Sequence, residues 1–524
     1  MRNERFGVFF FFFLLFFLFI VARILVLSLF PDKRLLKSIE VGEVRGKILD
    51  RNGKELALSK EFFSFYIRPA RLSEDKKKAL FNELSRTGLF EADELKLFFT
   101  DKDFVWIKRK MRKEEAAPLK EWINELRKKK IIKSDELGIL SEMGRFYPYR
   151  ETSFLIGNVS IDNAGISGVE YTYDSILSGG TNIQLSIDID ISVISYQELG
   201  KAVEENRAEG GSVVIIDNRN MELLSLVSYP SYDPNAKILS SAQFYFPAVS
   251  YVFEPGSTMK MFSMAFAIEN KIVTQTKPLF YCPGQILISG IPFSCIAAHG
   301  YVSPETIIQK SCNVGMVQVA DRFRREDFYN FISDFGFGRE PELKIYGAEK
   351  GILRDYRRWS VLSKYMISIG QEIGVTALQL AIAASIIARG GSYRKPILVK
   401  YPPVESATYE KEKVSENTSR VLIEMMKKVI SEEGTALSAK IEGISIAGKT
   451  GTGQIAKPDG SGYYSDLYNA VFVGFFPAEK PRYTILVVIY KPRGEFHTGG
   501  AIAAPVFANI VRRMYISGNF LKQE

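Results

Sequence analysis

The sequence predicts an α+β fold in three parts. These are an N-terminal transmembrane helix, an elongated α/β pedestal, and a larger domain with a central antiparallel sheet flanked by helices and a helical subdomain. Three observations predict it. The stretch from Phe6 to Phe30 is almost wholly apolar. β-rich runs stand at both ends of the C-terminal part and bracket a middle with helical patterning. The chain has 524 residues, too many for one ordinary core, so two or three domains are expected.

The elements follow in chain order. Phe6 to Phe30 is broken only by Arg23 and suits one membrane span of roughly 20 residues. A cleaved signal peptide is the alternative, but the apolar run is too long and no small-x-small site closes it. Arg2 and Arg5 precede it and Lys33, Arg34 and Lys37 follow it, so flanking charge does not choose the orientation. Residues 1–30 are read as cytoplasmic tip and anchor, 31–181 as the pedestal, and 182–524 as the larger domain. In the pedestal, Val44 to Leu58 reads as strand, turn, strand around Asp50-Arg51-Asn52-Gly53, and Lys108 to Lys130 as a solvated helix. Further on, Ser212–Asp217 and Leu223–Ser228 form a hairpin, and Ser257 to Arg389 is mostly helical. Ile444–Ala447, Ala470–Phe476 and Tyr483–Tyr490 are strands, the last two joined through Pro477 to Pro481. Ala501 to Met514 is a closing helix. Strands from both ends of the domain complete one antiparallel sheet.

Composition narrows the function. Hydrophobic residues make up 46% and charged residues 25%, which excludes wholesale disorder. The net charge of +9 is spread through mixed Lys/Glu stretches with no recognition motif, so no nucleic-acid partner is expected. Such a surface also suits an anionic polymer or lipid headgroups. Three cysteines and two histidines, with no C-x-x-C pair and with His299 and His497 far apart, leave a metal site and a metal-dependent hydrolase poorly supported. No metal or other cofactor is expected. An oxidising compartment would permit a disulfide between Cys282 and Cys295; two unlinked thiols fit the sequence equally well.

The chemistry sits in three motifs. Glu254-Pro255-Gly256-Ser257-Thr258-Met259-Lys260 breaks the chain and opens an apolar helical run, placing Ser257 at a helix N-terminus. Residues three apart share a helix face, which brings the Lys260 amine to the Ser257 hydroxyl. A serine nucleophile needs such a base, and a buried lysine with a lowered pKa supplies one. Alone, S-x-x-K is weak; Ser73/Lys76 and Ser392/Lys395 match it as surface residues. The second motif is Ser311-Cys312-Asn313, matched equally by Ser415-Glu416-Asn417 and Ser517-Gly518-Asn519. The third, Lys449-Thr450-Gly451-Thr452, lies on a strand, where Lys449 and Gly451 share one face and Thr450 and Thr452 the other. A glycine there lets a substrate backbone lie close, and lysine and threonine can bind a carboxylate.

Together, in the order S-x-x-K, S-x-N, K-T-G, the motifs form the set of penicillin-interacting serine enzymes. The chain resembles the class B penicillin-binding proteins, the monofunctional peptidoglycan transpeptidases. Arg45-Gly46-Lys47-Ile48-Leu49-Asp50-Arg51-Asn52-Gly53 and Gly168-Val169-Glu170 look like pedestal motifs of that family. Gly499-Gly500 with Ala503-Ala504-Pro505-Val506-Phe507 looks like its C-terminal helix. Within the family, the Ser257 motif and Ser368 to Gly391 look closer to the division-type enzymes than to the elongation-type ones. The resemblance implies that Ser257 attacks the penultimate D-alanine of a stem peptide with Lys260 as base. Ser311 relays a proton and Asn313 positions the donor strand. Lys449, Thr450 and Thr452 bind the terminal carboxylate, and the backbone N–H groups of Ser257 and Thr452 form an oxyanion hole. Gly453 follows, where alanine is commoner in the family, with little effect expected. The implied partners are peptidoglycan stem peptides, β-lactams, a SEDS-type glycosyltransferase in the membrane, and other cell-wall or division proteins. The implied location is the inner membrane, with a single pass, a cytoplasmic N-terminus and an extracytoplasmic catalytic domain. The same scaffold could serve a D,D-carboxypeptidase, a serine β-lactamase, or a non-enzymatic β-lactam sensor or division scaffold.

Overall fold

The first strand pair forms around an aspartate. Asp50 Oδ1 accepts the backbone N–H groups of Asn52 (2.7 Å) and Lys54 (2.8 Å), and the turn carries Ile48–Leu49 into antiparallel pairing with Glu55–Ile67. The structure, a computed structural model, describes residues 44–236, 240–403, 410–457 and 462–518. The expected anchor at Phe6 to Phe30 lies outside them. Among the described residues no helix is long and apolar enough to cross a membrane.

The pedestal strands lie in a six-stranded sheet that also takes Ile183–Leu185 and Val399–Tyr401 from the larger domain. Its order is Val399–Tyr401, Ile183–Leu185, Ile48–Leu49, Glu55–Ile67, Val105–Met111, with Leu137–Phe146 also paired to Glu55–Ile67. The expected solvated helix over Lys108 to Lys130 is corrected here. Val105–Met111 alternates buried and less buried residues as a strand, and the helix runs Lys113–Lys128 with Ala116, Leu119, Ile123 and Leu126 buried. Its charges sit on one face only, so the other packs a local core with Phe65, Leu80 and Phe98.

The two pedestal motifs meet inside the molecule. Glu170, fully buried, accepts from Arg45 Nε at 2.7 Å and from Arg145 Nε at 2.5 Å. Arg45 also reaches Asp174 at 2.7 Å. Burying these charges costs several kcal/mol each unless they are mutually neutralised, and here they are. Arg51 and Lys400 both bind Glu222, at 3.0 and 3.1 Å, and so fasten the first hairpin to the second sheet.

That second sheet is five-stranded and antiparallel throughout. Its order is Ala447–Ala456, Tyr463–Phe476, Tyr483–Tyr490, Gly210–Asp217, Glu222–Tyr229, so strands from both ends of the domain do complete it. Every residue of Tyr483–Tyr490 is buried, which requires cover on both faces. Helices Ile189–Glu205 and Ala504–Ile516 pack together on the sheet, and Ala377–Ala388, buried on all sides, packs against its central strands. The closing helix begins with a π turn over Gly499–Ala503. The expected strand at Ile444 to Ala447 starts only at Ala447. The helical middle also contains four short strands between Phe280 and Val302 that the periodicity did not reveal.

Candidate active site

Ser257 lies in a 3-10 turn, Gly256–Met259, which runs directly into the helix Lys260–Glu269. Residues three apart eclipse one another in a 3-10 turn, and Lys260 Nζ stands 3.0 Å from Ser257 Oγ. The same amine donates to the Ser311 carbonyl (2.6 Å), approaches Ser311 Oγ (3.3 Å), and donates to Asn313 Oδ1 (2.5 Å). Ser311 takes the left-handed backbone (φ 56°), which turns the chain from Pro304–Gln309 into the helix Asn313–Asp321 and points its carbonyl at the lysine. Lys449 Nζ closes the group, 3.0 Å from Ser311 Oγ. The three motifs thus converge on Ser311.

Both lysines are fully buried, and among the described residues neither has a carboxylate partner. Burial disfavours the ammonium form. It brings Lys260 down to about 8. Lys449 is pushed well below its ordinary value, first by burial and then by the charge of Lys260. Lys260 is therefore easily available as a neutral amine.

The motif strand Ala447–Ala456 forms the facing wall. Its alternation holds: Lys449 reaches Ser311, while Thr450 Oγ1 pairs with Thr435 Oγ1 at 2.7 Å. Gly451 has a different reason from the expected one. A Cβ there would stand 2.6 Å from the Pro255 carbonyl and 2.9 Å from Thr258 Cγ2, so the glycine admits the Ser257 turn rather than a substrate. Gly453 is not neutral either, because a Cβ would collide with the Glu254 carbonyl. Beneath the turn, a Cβ at Gly256 would lie 2.6 Å from the Thr452 carbonyl, and one at Gly370 would fall on the Gly256 carbonyl. The cleft between these walls is about 420 Å³ and is lined by Ser257, Ser311, Asn313, Thr450 and Thr452.

Several lining residues were not singled out from sequence. Thr435 is one, and nothing local marks it. Thr498 and the Gly499-Gly500 pair are others; the glycines belong to the C-terminal resemblance, which gave them no part in the site. Cys295, Ile296 and His299 form a third wall. The look-alike motifs lie elsewhere. Ser73 and Ser415 cap helices, Lys76 pairs with Glu136, and Ser392 lies in a short strand.

Of the two readings of Cys282 and Cys295, the structure has the unlinked thiols. All three are free. Cys282 and Cys295 stand 3.8 Å apart through their sulfurs, and Cys295 is nearer Cys312, at 3.6 Å. The third thiol and His299 share the space a disulfide would close. The expectation of no metal site rested on sequence separation, and the fold removes that separation: ligand atoms of Cys282, Cys295, His299 and Cys312 all lie within 4.8 Å of one another.

A serine and a desolvated lysine at a buried helix start, facing a second desolvated lysine on a sheet-edge strand across a cleft, define a serine acyltransferase. Comparison with known proteins narrows the class. Residues 211–512 match the penicillin-binding protein transpeptidase domain and residues 42–190 the penicillin-binding protein dimerisation domain. The chain is 30% identical over 520 residues to the peptidoglycan D,D-transpeptidase FtsI of Escherichia coli K12, covering 92% of this chain and 84% of that one. It is 29% identical over 513 residues to the stage V sporulation protein D of Bacillus subtilis, covering 89% and 77%. In fold it is similar to penicillin-binding protein 3 of Mycobacterium tuberculosis, with a TM-score of 0.70 at 24% identity over 91% of this chain and 97% of that one. The chain belongs to the penicillin-binding protein transpeptidase family, with the family's dimerisation domain preceding its transpeptidase domain.

Proposed function

We propose that the protein is a peptidoglycan D,D-transpeptidase that cross-links stem peptides through an acyl-enzyme on Ser257. The observation that carries this reading is the Lys260 amine, buried, with no carboxylate partner among the described residues, and 3.0 Å from Ser257 Oγ. Neutral Lys260 takes the hydroxyl proton as Ser257 Oγ attacks the penultimate D-alanine carbonyl. The backbone N–H groups of Ser257 and Thr452 receive the oxyanion. Ser311, in reach of both lysines, passes the proton to the departing terminal D-alanine. Lys449, Thr450 and Thr452 hold the terminal carboxylate, and Gly451 keeps the strand close enough for them to do so. Asn313 fixes the Lys260 amine through Oδ1 while its Nδ2 donates to the Ser294 carbonyl at 2.8 Å, which seats the donor strand's side of the cleft. An amine from a second stem peptide then resolves the acyl-enzyme.

The same reading gives residues 6–30 the part of a single-pass inner-membrane anchor, with the tip cytoplasmic and the catalytic domain outside. Residues 31–181 form the elongated pedestal. Glycan strands come from a SEDS-type membrane glycosyltransferase contacted by anchor and pedestal. The role is septal, together with other division proteins, in keeping with the FtsI likeness. The test is intact mass of the full chain in detergent after exposure to a penicillin, beside Ser257→Ala. One stable drug adduct on the wild type and none on the variant is expected. A wild-type protein that stays unlabelled, or a variant that still labels, would overturn the assignment. Side-wall rather than septal placement of a tagged copy would sink the division role alone.

A further inference from the structure

One wall of the cleft is the loop that carries Cys295, Ile296 and His299, and this loop leaves a hairpin, Gln285–Ile288 with Ile291–Ser294. Cys282 ends the strand before the hairpin and Cys295 begins the loop after it. The backbone pairing Gly300↔Cys282 brings the loop's far end, with His299, back beside the first cysteine. Cys312, the central residue of Ser311-Cys312-Asn313, enters from the start of the helix Asn313–Asp321. The geometry points to a structural zinc site formed by Cys282, Cys295, His299 and Cys312.

Three of the six donor–donor edges have the length of a metal tetrahedron, and all four donor atoms lie within 4.8 Å of one another. Zinc–sulfur bonds of about 2.3 Å and zinc–nitrogen bonds of about 2.0 Å set S···S edges of about 3.8 Å and S···N edges of about 3.5 Å. The protein has Cys282–Cys295 at 3.8 Å, Cys295–Cys312 at 3.6 Å, and Cys282 Sγ to His299 Nδ1 at 3.6 Å. Three thiolates and one imidazole form a recognised closed structural set for zinc, and soft sulfur donors disfavour magnesium or calcium. The surroundings suit thiolates. Gly315 N–H donates to Cys312 Sγ at 3.2 Å and Val314 N–H to Cys295 Sγ at 3.4 Å, the kind of outer hydrogen bonds that orient metal-bound sulfur. Cys282 and Cys312 are fully buried. A disulfide would leave one of the three cysteines unpaired, whereas a metal ion uses every one and the histidine as well.

Such an ion would join three separate segments: the strand before the hairpin, the loop at the cleft rim, and the residue between Ser311 and Asn313. The site is thereby a positioning device for the S-x-N motif.

The test uses the full chain in detergent, purified without added metal. Expected are one zinc per chain by elemental analysis and its loss in Cys282→Ser and His299→Ala. Replacement by cobalt should give the intense visible bands of a tetrahedral thiolate complex. Chelator should lower the unfolding temperature, and added zinc should restore it. The cobalt spectrum of the wild type keeps the test decisive if the variants fail to fold. Metal-free protein with three thiols open to alkylation, or a disulfide between any two, would overturn the proposal. Penicillin labelling of the same sample separates the two readings: labelling without zinc removes the metal site and leaves the transpeptidase assignment standing.

Discussion

In the pedestal, Arg45 and Arg145 close on Glu170 with both carboxylate oxygens engaged. In the cleft, Lys260 and Lys449 are as deeply buried, yet their partners are hydroxyls, carbonyls and a carboxamide. Both regions take cations out of water. In the first the charge is neutralised, and the result is a joint between two sequence-distant segments. In the second it is not, and burial itself moves the proton off the amine. The presence or absence of one carboxylate separates a structural cation cluster from a reactive one.

The largest expected effect comes from making the reactive cluster resemble the structural one. Lys260→Arg keeps the charge but cannot give up its proton. Acylation by penicillin should slow by about 10³-fold, the scale of a lost general base, as measured by stopped-flow labelling. Near wild-type rates would mean that the base lies elsewhere. Next, Glu170→Gln leaves two guanidinium groups buried beside a neutral amide. It should cost about 3–5 kcal/mol in denaturant unfolding, while the labelling rate of the folded protein changes little. A loss of rate with unchanged stability would invert the comparison.

The pH profile sharpens it further. Lys260 must be neutral to act and titrates near 8. The acylation rate should fall about tenfold per pH unit below that value and level off above it, as one proton at one site dictates. A flat profile from pH 6 to 9 would show the amine already neutral or uninvolved. The smallest effect belongs to Glu254, a half-buried acid with no cation partner among the described residues. Its Oε1 accepts from Tyr463 and the Glu372 N–H, its Oε2 has no partner, and burial raises it to about 7 from an ordinary 4.5. The folded state therefore holds a proton that the unfolded chain releases between those values. Its contribution to stability is present below about 4.5 and is lost as the pH rises through 7. Glu254→Gln should flatten that slope in denaturation at pH 5 and 8; an unchanged slope would assign it to another group.

Much of this was legible before any coordinates. Motif order, an i,i+3 serine and lysine, and strands at both ends of a helical middle are local patterns. The five-stranded sheet and the Ser257–Lys260 contact followed from them. Thr435 was not legible, because its contact with Thr450 exists only after the sheet forms. The strand Val105–Met111 was hidden by its own lysines and arginine, whose long stems lie along a sheet while their charges reach water. The metal-ligating cluster was hidden by the hairpin between its first two cysteines. Its signal was present: Ser289-Gly290 between two apolar runs is a two-residue turn, and folding it back places Cys282 beside Cys295.

Beneath Ser257, bare backbone meets bare backbone: Gly256 against the Thr452 carbonyl, Gly370 against Gly256, Gly453 against Glu254. No side chain can be enlarged there without moving the nucleophile itself. A bacterium under antibiotic selection thus has almost no room to edit the floor of this pocket and remain viable. The open ground is at the rim, where Ile296, Ala297 and Ala298 face solvent between Cys295 and His299.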